Sequence, residues 1–462
     1  MKIRKGKVPG GEARTRPLLS KTSFLLGLLA VWLPGSLSGQ ETLTLAETLA
    51  LALDSHPAVG RALASQEAAS AQVSLAESAR FPWLASQASL ARHQEPMVVA
   101  PLHAFDPLNP PTFDRNLIQG ALTLGYTVFD GGARGARIRQ AEAGEAAAGA
   151  GKVATDMDVL FQVSAAYLGI LSGQDVLDAV ERQRTALAAE VSRVGQFLQE
   201  GKAARVDLLR AEAALSRVDA SAISAGANLD LARSRLARLT GLPLENIEGA
   251  TLTGVEVALP GVPGRGQVLS DAGSVNPEIA RARELLTGAS AGVREAGAAW
   301  FPKVEAGGRY SDFGTLDGGH VQEWQGLVQI SFPLFSGGST KADRARARAE
   351  ERRAAEALRL AELSVEDEAE TALASVTETQ ALKAALEIAA VQSEEVARIE
   401  ALALDAGAGT QSDFLRAQAE LFQARAALAQ ARHGEILARI QLAQVRGELT
   451  LEWIQQHMEV VR

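Results

Sequence analysis

The sequence predicts a mainly α chain that also supplies strands to a transmembrane β-barrel, laid out as a duplicated unit of helix, β-hairpin and long helical hairpin. Three observations predict it. Residues 56–85 recur at 276–305 without a gap: Pro57 pairs with Pro277, Arg61 with Arg281, Ala69-Ser70-Ala71 with Ala289-Ser290-Ala291, and Phe81-Pro82 with Phe301-Pro302. Further on, a second, smaller offset pairs Phe129 with Phe335, Gly131-Gly132 with Gly337-Gly338, Gly201 with Gly407, Asp207 with Asp413 and Leu209-Arg210-Ala211 with Leu415-Arg416-Ala417. Self-similarity on that scale means one structural design used twice. Within each copy, apolar residues alternate with period two over short stretches, the signature of half-buried strands. After each Gly-Gly pair the period changes to alternating fours and threes, the spacing of packed long helices.

The elements follow in order. Residues 1–39 read as a secretory signal peptide: Lys2, Arg4, Lys5, Lys7, Arg14, Arg16 and Lys21 precede the apolar run Phe24–Leu33, then Pro34, Gly35, Ser36, Ser38 and Gly39. That run is about ten residues, half the roughly twenty a spanning helix needs; an N-terminal anchor is the alternative. No other segment is long and apolar enough to span as a helix, so the exported chain is either soluble or a β-barrel. The first repeat, 40–241, opens on the capping-box pattern Thr44 and Glu47, breaks at His56-Pro57 and ends its second helix at Phe81-Pro82. Strands follow at about 82–92 and 117–130. In the latter Ile118, Leu122, Leu124, Tyr126 and Val128 face one way, and Gln119, Thr123, Gly125 and Thr127 the other. Long helices are expected over 133–199 and 203–240, the first about 100 Å long at ~1.5 Å per residue. Its register runs through Val159, Val163, Ala166, Ile170, Val180, Leu187 and Val194, with Arg184 as a charged lapse. The stretch 242–267, rich in proline and glycine, reads as a linker or a belt around the helices. The second repeat, 268–447, has strands at about 302–313 and 322–335 and helices over 339–405 and 409–447, where Glu435 breaks the register. Residues 448–462 form a C-terminal segment. The longer first hairpin implies an insertion, Arg92–Asn116, expected to be a surface loop.

Any single strand would alternate equally well in a soluble hairpin packed on a helix. Lys303, Glu305 and Arg309 on the polar side argue for a wet lumen, because a buried face would not carry them. The aromatic residues near strand ends, Phe81, Trp83, Phe129, Phe301, Trp324, Phe332 and Phe335, resemble interfacial girdles.

Composition removes other classes. A net charge of −9 opposes nucleic-acid binding. With no cysteine there is no disulfide, thiolate metal site, cysteine nucleophile or acylated N-terminal cysteine. The histidines, His56, His93, His103, His320, His433 and His457, form no metal-ligand spacing, and no phosphate loop or nucleophile constellation is present. Neither an enzyme nor a cofactor is expected.

Two hairpins supply four strands, which cannot close a barrel, and an open edge in hydrocarbon leaves unpaired backbone groups costing several kcal/mol each. Other copies must close it. Two copies give eight strands around an interior filled by side chains, whereas three give twelve and a lumen that holds water, so a homotrimer embedded in outer-membrane lipid is expected.

The Thr-Leu-Ala-Glu opening, together with the Phe-Pro helix end, the Phe-x-Gly-Gly strand exit and the Gly-x5-Asp-[Leu/Phe]-Leu-Arg-Ala return, the last three present twice between about Leu43 and Leu449, resemble the outer membrane efflux proteins of the TolC type. The resemblance implies a trimer with a 12-stranded barrel joined to a 12-helix periplasmic α-barrel. It further implies a passive exit channel in the outer membrane, working with a periplasmic adaptor and an inner-membrane pump in efflux or type I secretion. In this family the turns between the long helices meet the adaptor, which makes Gly201, Arg205, Asp207, Gly407, Thr410 and Asp413 the docking candidates. The ordinary role of Gly201 and Gly407 is helix C-capping, and that of Asp207 and Asp413 is to offset a helix dipole. Glu200, Asp207, Asp405 and Asp413 are also candidates for acidic rings at the periplasmic entrance. The alternative reading is a periplasmic coiled-coil adaptor, against which the duplication and the strands both speak.

Overall fold

The computed structural model describes residues 42–103, 107–258 and 261–461; the expected leader over 1–39 lies outside the described residues. The first repeat comprises β1 (Thr42–Leu43), α1 (Leu45–Ser55), α2 (Pro57–Ser78), β2 (Trp83–Val98), β3 (Phe113–Phe129), α3 (Ala133–Gln199) and α4 (Arg205–Thr240). Between the repeats lie α5 (Leu244–Gly249), β4 (Thr251–Leu252) and β5 (Gly254–Val257). The second repeat comprises α6 (Arg265–Val275), α7 (Pro277–Ala298), β6 (Lys303–Thr315), β7 (His320–Ser331), α8 (Ser339–Asp405) and α9 (Gln411–Val445), followed by α10 (Leu451–His457) and β8 (Met458–Val461). The duplication is metrically close: α2 and α7 have 22 residues each, α3 and α8 have 67.

Local chemistry sets the boundaries. The Thr44 hydroxyl accepts from the Glu47 N–H at 3.2 Å, and Glu47 Oε2 accepts from the Thr44 N–H at 3.0 Å. The Thr44 backbone bond, then its hydroxyl, hold the Glu47 carboxyl below its ordinary pKa. At the matching breaks, Pro57 and Pro277 open helices, with His56 Nδ1 and Asn276 Oδ1 accepting the N–H groups of Ala58 and Glu278 at 3.2 and 2.9 Å. Asp130 turns β3 into α3 by accepting from the Gly132 and Arg134 N–H groups at 3.1 and 3.0 Å.

The four long strands form one antiparallel sheet in the order β2-β3-β6-β7. Two strand limits differ from the sequence reading. β2 and β3 continue into 92–116: after an irregular step between Arg92 and Met97 that contains Pro96, pairing resumes at Met97–Asp114 and Val98–Phe113. The expected loop is therefore shorter than the sequence suggests, with 92–98 and 113–116 belonging to the strands. β7 instead ends at Ser331, before the expected 335, because Pro333 has no N–H to donate to a ladder.

Each strand runs directly into, or out of, a helix, and the helices pack side by side in the matching order α2-α3-α7-α8. The principal core lies midway along the helices, where α1, α3, α4, α5, α9, α10 and the short strands meet around Leu49, Tyr167, Ile170, Leu236, Ile440 and Ile454. There Tyr167 Oη lies 2.8 Å from the carbonyl oxygens of Leu43 and Thr253, and burial pushes its hydroxyl pKa up. The segment between the repeats is thus structured: β4 pairs with β1, and β5 with β8 from the C-terminal segment. It ties both repeats together across the middle of the bundle.

Glu435, a mismatch in the sequence register, is buried with its charge answered. Oε1 accepts from Arg439 Nε and a terminal guanidinium nitrogen at 3.2 and 3.0 Å, and Oε2 from Lys383 Nζ at 2.9 Å. Burial raises its pKa, and the hydrogen bonds from Lys383 and Arg439 outweigh it, leaving the carboxyl below its ordinary value.

Candidate conduit surface and helical tip

The ladder register assigns every strand residue to a face. One face carries Leu84, Leu122, Leu124, Tyr126, Ala306, Tyr310, Trp324, Val328 and Ile330; the other carries Gln87, Ser89, Gln119, Thr123, Thr127, Glu305, Arg309, Gln325 and Gln329. The large residues of the first face are exposed, Trp324 at 79% and Val328 at 70%. An exposed apolar face opposite a polar one is the arrangement of a strand between lipid and water. Trp83 corrects the expectation of an interfacial girdle: it pairs with Gly125, in phase with Thr123 and Thr127, so its indole belongs to the polar face.

The polar face continues onto the helices. A cavity of about 1120 Å³ touches α2 at Ser78, α3 at Arg134 and Arg137, α7 at Glu295 and α8 at Arg346 and Glu350, and also the polar strand residues Thr127, Lys303 and Ser331. A space that reaches all four side-by-side helices lies on the concave side of their layer. The wall is charged but internally compensated, with Arg134 on Asp130 at 3.0 Å and Arg137 on Glu295 at 2.5 Å.

At the far end of α3 and α8 the chain turns back twice in the same way. Gly201 and Gly407 have φ of +72° and +74°, values that favour glycine because it lacks a Cβ. Gly201 N–H donates to Leu198 at 3.0 Å and Lys202 N–H to Phe197 at 2.7 Å; Gly407 and Ala408 repeat the pattern on Leu404 and Ala403 at 3.1 and 2.8 Å. These are paired Schellman caps. The return helices also start alike: Asp207 Oδ2 accepts from the Ala204 N–H at 3.3 Å, while Thr410 Oγ1 accepts from the Asp413 N–H at 3.2 Å and donates to Asp413 Oδ2 at 2.6 Å. Arg205 is exposed between them.

Each acidic residue considered for the entrance has a cation beside it: Glu200 with Lys202 at 2.7 Å, Asp207 with Arg210 at 3.6 Å, Asp405 with Arg193 at 3.7 Å and Asp413 with Arg416 at 4.0 Å. Sequence reasoning missed Arg193, which also grips Glu190 at 2.8 Å and lies 5.4 Å from the Phe197 ring centroid. It links the two helical hairpins at the tip. The only local signal was its spacing of three from Glu190; its partner Asp405 lies on the other repeat.

The histidines are spread out. His433 Nε2 lies 2.9 Å from Asp175, His103 3.3 Å from Glu323 and His320 3.3 Å from Asp312, while His457 stacks on Trp453. Among the described residues no group of three or more His, Asp or Glu is placed to hold a metal ion, and no helix is long and apolar enough to cross a membrane.

Comparison with known proteins agrees with this geometry. The family model described as outer membrane efflux protein matches residues 48–242 and 268–448, the two repeats. The alkaline protease secretion protein AprF of Pseudomonas aeruginosa is 28% identical over 193 residues, an alignment that spans 40% of either chain. The protein CyaE of Bordetella pertussis is 28% identical over 316 residues, 64% of this chain and 61% of the relative. Among solved structures, the Campylobacter jejuni CmeC outer membrane channel superposes with a TM-score of 0.77 at 17% identity, covering 89% of this chain and 88% of that one. The Vibrio cholerae outer membrane protein VceC does so with a TM-score of 0.76 at 20% identity, over 87% and 96%. At these identities the superpositions speak for the fold.

Proposed function

The chain belongs to the outer membrane efflux protein family, and from that premise we propose that three copies form a passive exit channel serving an inner-membrane pump through a periplasmic adaptor. It resides in the outer membrane, with its helical portion in the periplasm. The observation that carries the proposal is the open four-stranded sheet: one face apolar, one polar, ending on β2 and β7, with each strand continuing into a helix of a curved layer. Such a sheet is stable in lipid only when the edge of one copy pairs with the edge of the next. Transport then draws its energy from the pump, and the channel contributes a continuous polar path rather than chemistry of its own.

The tips at Gly201–Asp207 and Gly407–Asp413 are the docking surface for the adaptor in this reading, and the paired turns offer it two similar contacts per copy. Density fractionation and light scattering in detergent test the assembly: a trimer of 48.5 kDa chains, less any cleaved leader, in the outer-membrane fraction is expected. A monomer there, or a soluble periplasmic protein, would overturn the edge-closure argument. Bulky, charge-reversing changes at both tips, Gly201→Trp with Asp207→Lys and Gly407→Trp with Asp413→Lys, should abolish export while leaving trimer yield intact. Export that survives them would remove the docking role.

A further inference from the structure

On the polar face of the sheet, one ladder row reads Trp83, Gly125, Gly307 and Leu327 across β2, β3, β6 and β7. The two central positions have no side chain, so the row is a trough with an indole at one end and a leucine at the other. Trp83 lies flat across its near half: a Cβ on Gly125 would stand 2.4–2.5 Å from the indole atoms Cε2, Cζ2 and Nε1. Over Gly307 no side chain comes within 4 Å; a Cβ there would meet only the Leu124 carbonyl oxygen, at 3.1 Å. The rows on either side, Thr127-Glu305-Gln329 and Thr123-Arg309-Gln325, complete polar walls around a cavity of about 310 Å³. Trp83 is 56% exposed, so the indole face turned away from Gly125 is open.

The charges in the walls select the occupant. Glu305 is already answered by Lys303 Nζ at 2.6 Å. Arg309 uses its Nε on the Ser311 hydroxyl at 3.2 Å, and no carboxylate pairs with its guanidinium among the described residues. The unbalanced group is therefore a planar cation, whose terminal N–H groups match a carboxylate or sulfonate in bidentate geometry. Arg309 stands two strands across and two residues along from Trp83, about 12 Å at ~4.8 Å per strand and ~3.4 Å per residue, a separation that a flexible arginine and one flat ring system bridge.

We propose that this trough is a substrate subsite for flat aromatic anions, with the ring stacked on Trp83 above the glycine floor and the acidic group held by Arg309. The proposal rests on the reading that the polar face lines the conduit. A site of this size in a wet lumen binds briefly, as a conducting path requires: favourable enough to enter, weak enough to leave. Threefold repetition would place three such sites at one level of the barrel.

The test uses the full-length protein in detergent with Trp83 as the reporter, the other indoles removed by Trp32→Phe, Trp300→Phe, Trp324→Phe and Trp453→Phe. Quenching is titrated with 4-nitrobenzoate and with 4-nitrobenzylammonium, which share a ring and differ in charge. Saturable quenching by the anion at about tenfold lower concentration is expected, with the preference lost in Arg309→Gln. Non-saturable quenching, equal response to both probes, preference for the cation, or a preference that persists in Arg309→Gln would each overturn it. Arg309→Lys, which keeps the charge and loses the fork, should retain part of the preference. Planar-bilayer recording separates the two readings: absence of conductance in the parent protein would defeat the conduit, while the detergent titration still decides the trough.

Discussion

At the residue scale, charged groups away from solvent show what the sequence could and could not say. Glu435 stands where the helical register asks for an apolar residue, and the reason, Lys383 on α8 and Arg439 one turn away, is half legible: the spacing of four to Arg439 is local, and the pairing with Lys383 is not. Because the native carboxyl titrates below its ordinary value of 4.5, its contribution is full above that pH and fades as pH falls through the lowered native pKa. Glu435→Gln should lower stability by about 2 kcal/mol at neutral pH, since it leaves two cations facing an amide, and should flatten the acid limb of the pH–stability curve. Thermal unfolding between pH 7 and 3 measures both. Trp83 was misread for a different reason. Alternation with Leu84 and Leu90 already puts residue 83 on the other face, in agreement with its partner Gly125, and the misreading came from weighing residue type above phase.

At the element scale, strands were recognisable by period and misjudged in length. Alternation marks a strand where its two faces meet different solvents. Beyond Arg92 the pattern vanishes although the ladder resumes at Met97, as expected of a hairpin end with water on both faces. The two faces predict opposite responses from neighbouring residues. Val328→Arg puts a cation on the apolar face, a change that costs about 2–4 kcal/mol at the bilayer midplane and less toward the interfaces. Gln329→Arg puts the same cation on the polar face, where it should be tolerated and should shift ion selectivity. Yield of heat-resistant oligomer from outer membranes distinguishes them: loss for Val328→Arg, retention for Gln329→Arg. Equal yields would mean that the face assignment is wrong.

At the scale of the whole molecule, α8 presents the surface left for another copy. One side of its membrane-proximal half carries Glu351, which accepts from the Ser290 hydroxyl of α7 at 2.8 Å, and Leu358 and Val365, which join the apolar cluster of Val268, Ile279 and Leu442. At 100° per residue the roughly opposite side carries Ala342, Ala345, Ala349, Leu360 and Leu363, and both leucines are more than half exposed. Small residues followed by leucines suit close helix packing, and α2 of the next copy is the element that the strand order brings to it. Ala349→Asp should therefore reduce trimer without changing the helical circular dichroism of the monomer; an unaffected trimer would move the interface elsewhere. Long helices and duplication were legible because both are written in local periodicity. The contacts that join the repeats, Arg193 with Asp405 and β3 with β6, were not, because they link residues far apart along the chain. That last pairing also sets a timetable. β3 ends at Phe129 and its partner β6 begins at Lys303, so the first hairpin waits with the β3 edge unpaired until the second repeat has followed. Loop-closure entropy grows only logarithmically with the intervening length, so the finished protein gives up little stability for it. The burden falls on the nascent chain, which is slow to complete its sheet and prone to aggregate while it waits, so holding chaperones and proteases rather than equilibrium stability should govern how much channel a cell obtains.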